Sequence, residues 1–273
     1  MTNPSSQNAP SPIAQKQVSQ KRGEVVLIVA GGELADRAIK HLSVRFPGLV
    51  VLQEEPETKM QVIRRRIRLL GPISAFGQIM AGFAFRLAAR FNMKRALEIR
   101  QADPSGAEAG ASRIIKIGNV NSMRCRRALQ LLAPRAVAIY GTRIISQRTL
   151  DAVDAPFINY HAGINPKYRG QHPAYWARVE GDDENAGVTV HLVDKGVDTG
   201  EVIYQQQVEF AARDNIATYQ YVQLATGMVL LSRAIRDVLK GRLQTRRVAL
   251  PSKLWFPPTI WQYVWNGTMK GVW

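Results

Sequence analysis

An asparagine and a histidine stand two residues apart, Asn159 and His161, at the end of the apolar run FINYH (157–161). In a strand, residues i and i+2 project to the same side, so this spacing aims an amide and an imidazole at one place. A third chemically active group, Asp198, lies in the glycine-rich stretch KGVDTGEVI. The amide can donate to a developing oxyanion, the imidazole titrates near neutrality and can move a proton, and the carboxylate can orient the ring. The same three residues would serve equally as hydrogen-bonded structural groups. A metal on His161, His172 and His191 is a weaker option, because the three lack the i, i+4 spacing of a helical ligand pair, and no metal is expected. His191 sits among valines in GVTVHLVD and reads as a hydrogen-bonded core histidine.

The elements that must position these groups follow from periodicity. EVVLIVAGG (24–32) has a buried-strand pattern, ELADRAIKHLSVRF repeats its apolar residues at helical spacing, and GLVVLQEE (48–55) is a second strand. Strand, helix and strand of these lengths make a βαβ unit with a right-handed crossover. SMRCRRALQLLA (122–133) predicts a helix, and RAVAIYG (135–141), FINYH, GVTVHLVD (187–194) and EVIYQQQVEF (201–210) predict strands. TYQYVQLATGMVLLSRAIRDVLKG (218–241) predicts one long helix closed by Gly241. The expected fold class is α/β, a Rossmann-like open and mostly parallel sheet with helices on both faces, plus a basic helical insertion. Ligands of such sheets sit at the carboxyl ends of the strands, where Asn159 and His161 fall. Gly31-Gly32 is not followed by the rest of a G-x-G-x-x-G pattern and reads as a tight strand-to-helix turn, not a nucleotide site.

Composition sets the frame. With 273 residues and 46% hydrophobic content the chain can bury one large core. A single cysteine, Cys125, excludes an internal disulfide framework and a cysteine zinc cage, and fits a reducing compartment. The polar, Pro/Ser-rich start (1–22) reads as a disordered tail rather than a signal peptide, and the apolar stretch ISAFGQIMAGFAF (73–85) is too short to span a bilayer. A cytoplasmic location is expected. The net charge of +16 is concentrated, since residues 58–148 hold 18 Lys/Arg against 3 Asp/Glu. Within that third, the insertion 58–101 flanks its apolar stretch with arginines, a pattern that suits a helical hairpin showing its charges to water, or else an anionic partner or the inner face of a membrane. The main unit is read as 23–245, and 246–273 as an aromatic, proline-rich extension that docks on the chain's own surface.

From about Arg135 to Phe210 the chain resembles the formyltransferases that use 10-formyltetrahydrofolate, a family that includes glycinamide ribonucleotide, methionyl-tRNA and sugar-nucleotide N-formyltransferases. The likeness rests on AIYGTRIIS, INYHAGINPKYRGQHP and GDDENAGVTVHLVDKGVDTGEVIYQ, which stand in the family's order. The resemblance implies that Asn159, His161 and Asp198 are catalytic. It implies a folate-binding loop at Tyr140, Gly141, Thr142, Arg143, Ile144 and Ile145, and a second pterin-contacting loop from Asp194 through Val197 to Asp198. Tyr168, Arg169, Gly170 and His172, on the loop after the Asn-x-His strand, would frame an acceptor pocket; the alternative is a structural loop whose Arg169 pairs with a carboxylate.

The resemblance also implies the donor, 10-formyltetrahydrofolate as cosubstrate, and a small-molecule amine as acceptor. It does not name the amine. AGGELADRA replaces the Gly-Asn-Gly-Ser-Asn-like phosphate loop of the purine-pathway enzymes. Some thirty residues follow Gly241, where the tRNA enzymes carry a barrel-like domain of roughly a hundred, so nucleic acid is not the expected partner. A hydrolase that releases formate from the same folate, with water as acceptor, is one alternative activity; glycinamide ribonucleotide or methionyl-tRNA formyl transfer proper is the other.

Overall fold

The computed structural model describes residues 24–102 and 113–273; the tail expected over 1–22 lies outside them. Seven strands form the main sheet: β1 (Val25–Val29), β2 (Val50–Glu54), β3 (Arg113–Ile117), β4 (Ala136–Tyr140), β5 (Phe157–His161), β7 (Gly187–Leu192) and β8 (Val202–Gln207). Their order is β3-β2-β1-β4-β5-β7-β8. The pairings from β3 to β5 are parallel, and β5–β7 and β7–β8 are antiparallel. The mostly parallel sheet expected from the βαβ pattern is therefore present. β3 is an addition, because RIIKI is short, has four of its five residues at least partly exposed and stands on the sheet edge, where burial leaves little imprint on sequence.

Along β1 the side chains divide between two layers, as alternation in a doubly covered sheet requires. Leu27 and Val29 join Val51, Ala138, Ile158 and Tyr160 under α1 (Glu33–Arg45) and α7 (Tyr219–Leu239). Val26 and Ile28 join Leu52, Val137 and Ile139 under α4 (Met123–Leu132). The turn between β1 and α1 uses Gly32 at φ 119°, a conformation glycine adopts without strain. α7 presses on β5 directly, since a Cβ at Gly227 would stand 2.0 Å from the Tyr160 ring. That contact fixes the strand that carries Asn159 and His161.

A third cluster lies beyond the sheet edge. The short α5 (Gln147–Leu150) precedes β5; after it come β6 (Arg169–Gly170) and α6 (Pro173–Val179), then, beyond the sheet, β9 (Leu254–Trp255) and α8 (Ile260–Lys270). β6 and β9 pair in parallel, Arg169 with Leu254 and Gly170 with Trp255. Trp255 stacks on Trp176 at 4.8 Å and on Tyr168 at 5.8 Å, and Trp176 donates to the Phe256 carbonyl. Residues 246–273 therefore dock on the chain itself, as expected. α8 begins with a capping box of Thr259 and Gln262 and packs Tyr263 against Tyr175.

The insertion forms α2 (Lys59–Phe91) and α3 (Met93–Ala102) between β2 and β3. α2 starts at a Thr58/Gln61 capping box and breaks its helical geometry at Gly71 (φ 79°), next to Pro72. Taken over 73–85 alone the apolar stretch is too short for a bilayer, but its uncharged run extends from Leu69 to Phe85. By length and composition α2 is long and apolar enough to cross a membrane, which corrects that expectation.

Candidate functional site

The parallel β4–β5 pairing places Ile139 beside Asn159, and the antiparallel β5–β7 pairing places Asn159 beside His191 and His161 beside Thr189. β5 thus delivers Asn159 and His161 to one side at the carboxyl end of the sheet. The loop between β7 and β8 then folds back over them. Asp198 in that loop has φ 53°, a left-handed conformation that a non-glycine residue rarely adopts. Strain of this kind persists only where surrounding contacts hold it, and it concentrates at functional sites.

Those contacts are specific. Asp198 Oδ2 is 3.4 Å from His161 Nδ1 and accepts from the Gly170 N–H at 3.1 Å. Its Oδ1 accepts from Asn159 Nδ2 at 3.3 Å and lies 3.6 Å from His191 Nε2. Burial pushes the Asp198 carboxyl up, but His161, His191 and the Gly170 N–H outweigh it and hold the group well below the usual carboxylate range. The ion is therefore present throughout the neutral range. His161 is buried, and its Nε2 stands 2.7 Å from the Tyr168 carbonyl. Both ring nitrogens of His161 face acceptors.

The structure brings Asn159, His161 and Asp198 together and adds His191. That ring is buried and hydrogen-bonded, as expected of a core histidine, yet its Nε2 points to Asn159 Nδ2 at 3.2 Å while Nδ1 meets the Leu192 carbonyl. Its membership of the site is a matter of register, and no local sequence signal marks it.

The loop after β5 is bound to the same centre. Gly170 takes φ 93° and supplies the N–H to Asp198. The Arg169 guanidinium donates to the Val197 carbonyl at 2.9 Å; this, rather than the carboxylate pairing considered above, is its contact, and its Nε is buried without a hydrogen-bond partner. Tyr168 is buried and donates its hydroxyl to Asp182. His172 packs edge-on against Phe85 of α2. Burial and the Arg66 guanidinium lower its pKa to about 4, which leaves the ring neutral.

The expected folate loop leaves the same sheet edge. Tyr140 stacks obliquely on Tyr160, Gly141 has φ 64°, the Thr142 hydroxyl donates to the Arg143 carbonyl, Ile144 is exposed and Ile145 is buried. Arg143 is occupied structurally: its backbone N–H and guanidinium both donate to the buried Glu54 carboxylate at the end of β2, which also accepts from Val120. A cavity of about 510 Å³ opens beside Asp198, lined also by Asp194, Asn165, Leu192 and Arg246. Residues 140–145 do not line it. Both polar atoms of the Asn165 side chain are buried there without a hydrogen-bond partner. Among the described residues no group of three or more His, Cys, Asp or Glu side chains is arranged to hold a metal ion.

Residues 119–235 match the sequence model of the formyl transferase family. A methionyl-tRNA formyltransferase of Halothermothrix orenii is 30% identical over 131 residues, which are 47% of this chain and 41% of that protein. The chain spans less than half the length of the curated relatives it matches. Among solved structures, glycinamide ribonucleotide transformylase 1 of Symbiobacterium toebii superposes with a TM-score of 0.52 at 20% identity, over 81% of this chain and 90% of that one. An N-formyltransferase of Helicobacter canadensis, in complex with folinic acid and dTDP-3-aminofucose, gives 0.51 at 14% identity, over 84% and 70%. At these identities the structural likeness establishes the fold.

Proposed function

We propose that this protein, whose residues 119–235 form a formyl transferase domain, moves a formyl group from 10-formyltetrahydrofolate to a primary amine. The observation that carries the reading is the convergence of Asn159, His161 and Asp198 from β5 and the β7–β8 loop on one point at the carboxyl edge of the sheet. The donor fits the residues present. The unpartnered Asn165 amide and the polar margin of Asp194 and Asp198 border a cavity beside the three groups, and a pterin carries both donors and acceptors to meet them.

Formyl transfer forms a bond from the amine nitrogen to the formyl carbon and breaks the bond to the folate nitrogen. One proton leaves the amine, one reaches the leaving nitrogen, and negative charge gathers meanwhile on the formyl oxygen. The half-buried Asn159 amide, whose Nδ2 here meets Asp198 and His191, would turn an N–H to that oxygen; one such donor lowers the barrier by about 3–4 kcal/mol. His161, set against the Asp198 carboxylate, is the group that would pass a proton. Gly170 would position Asp198, and His191 would position Asn159 and Asp198.

The acceptor's class follows less from the site than from what surrounds it. The loop 166–173 borders the site beside basic α2, where Arg66 stands near His172; an amine carrying a phosphate or a sugar phosphate suits that margin. The test is tetrahydrofolate release by the pure protein, with and without a panel of glycinamide ribonucleotide, amino-sugar nucleotides and methionyl-tRNA. Amine-dependent release supports transfer, release without any amine makes water the acceptor, and failure to bind the folate overturns the reading.

A further inference from the structure

α2 is packed inside out. Its buried residues are Ala75, Gly77, Gln78 and Ala81, small except for Gln78, whose amide donates to the Pro257 carbonyl. Gly77 is required there, because a Cβ would come within 2.3 Å of the Trp261 ring. The large apolar side chains Ile73, Phe76, Met80, Phe83, Leu87 and Phe91 are all exposed, Ile73 by 75% and Phe91 by 80%. Their spacing of three and four places them on one stripe within about 80° of arc at 100° per residue. A helix that merely covered the domain would turn these residues inward and its small ones out. Next to the stripe, α8 exposes Val264, Trp265 and Met269, and Trp261 joins the two helices.

We propose that α2 and α8 form a face that seats in the surface of an anionic lipid bilayer. Three features argue for lipid. Residues 58–97 contain nine Lys/Arg and no Asp or Glu, and six of these cations, Arg64, Arg65, Arg68, Arg86, Arg90 and Lys94, are exposed beside the apolar stripe. Basic residues flanking an apolar and aromatic stripe match anionic headgroups above hydrocarbon. A second copy of this chain would instead set like charges against like, well within a Debye length. The stripe itself carries no hydrogen-bonding side chain, so it offers nothing for a polar protein partner to read.

The helix lies on the bilayer and does not cross it. Its opposite side is taken along much of its length by the domain, from Ala75 and Gln78 to Phe85, which stacks edge-on against Tyr263 at 5.0 Å and His172 at 5.6 Å. α2 thus meets the loop 166–173 by the side opposite its docking face, and seating that face would bring the candidate site close to the membrane surface.

The test uses the full chain and vesicles of phosphatidylcholine alone or mixed with phosphatidylglycerol. Cosedimentation is expected with the mixed vesicles, at least roughly tenfold stronger than with phosphatidylcholine and weakened by salt. The variant Ile73→Ser/Phe76→Ser/Phe83→Ser/Leu87→Ser changes only exposed side chains; it should melt as the parent does and lose cosedimentation. Quenching of tryptophan fluorescence by brominated lipid, through Trp261 and Trp265, is expected in the parent and not in the variant. A parent that stays in solution with the mixed vesicles overturns the proposal. If it also forms a dimer that the variant abolishes, the face belongs to a second copy; equal binding of parent and variant would overturn it too. None of these readouts depends on formyl transfer.

Discussion

His191 Nε2 stands 3.2 Å from the Asn159 amide nitrogen because the two residues are register partners across β5 and β7. The ring is buried against the amide and the Asp198 carboxylate, a position suited to holding both in place. His191→Phe keeps the bulk and removes both contacts. Turnover at saturating substrate is expected to fall by about tenfold to a hundredfold, the scale of a small misplacement of a reacting group, while circular dichroism stays unchanged. A turnover equal to the parent's would reduce His191 to a core residue.

Asp198→Asn removes the charge that both histidines face. A loss of about 10²–10⁴-fold in turnover is expected, the range of acid–base contributions, measured as tetrahydrofolate release. The variant should also change the acid limb of stability. A carboxylate held below its unfolded pKa stabilises the fold above about pH 4 and loses that contribution as pH falls toward its folded value. Denaturation of the parent and of Asp198→Asn at neutral pH and near pH 3 should therefore differ most at neutral pH.

Gly170→Ala tests the coupling of the two loops. Its Cβ would lie 2.3 Å from the Trp255 carbonyl oxygen, on a backbone at φ 93°. A loss of about 1–3 kcal/mol is expected from the overpacking and the backbone strain together. Turnover should drop further than stability explains, since the same residue's N–H holds Asp198. Urea denaturation and the activity of the folded fraction separate the two effects.

Glu54 is buried, and it anchors Val120 and Arg143 from two loops. Glu54→Gln leaves the Arg143 guanidinium, itself largely buried, facing a neutral amide. A loss of roughly 2–4 kcal/mol is expected, visible as a lowered melting temperature. If the melting temperature does not move, Glu54 is no anchor.

His172 gives a second pH signature of stability. Its folded pKa of about 4 lies below the ordinary value of 6.5, so between those limits the unfolded chain binds more protons and stability rises with pH. His172→Gln removes that slope. Chemical denaturation at pH 4.5 and pH 7 should show a smaller difference for the variant than for the parent; equal differences would place the ring in contact with water.

Asn159 and His161 were legible because strand periodicity is local, and Asp198 because a carboxylate stands out in a glycine-rich loop, but that the loop folds back onto the strand was not written in either stretch. His191 was hidden for the opposite reason: whether a histidine in a strand faces a core or a site is decided by the antiparallel partner, more than thirty residues away. The βαβ start and the long helix α7 were written in their apolar spacing, whereas β3 was not, since an edge strand with two cations among its five residues carries no such run. α2 shows a further limit. Its composition announced an amphipathic helix, but which side would meet the domain depended on Gly77 against Trp261, nearly two hundred residues apart.

The pairing of β6 with β9 has a consequence for the timing of assembly. Asn159, His161, Gly170 and Asp198 all emerge during synthesis well before Leu254 and Trp255, the residues that pair with the Arg169–Gly170 segment. A nascent chain can thus complete its sheet as far as β8 and bear every reactive side chain, yet lack the strand against which the Gly170 turn is braced. The brace on the Gly170 turn can form only once residues 254 and 255 have left the ribosome, so the last support of the centre comes from a segment that supplies none of its chemistry.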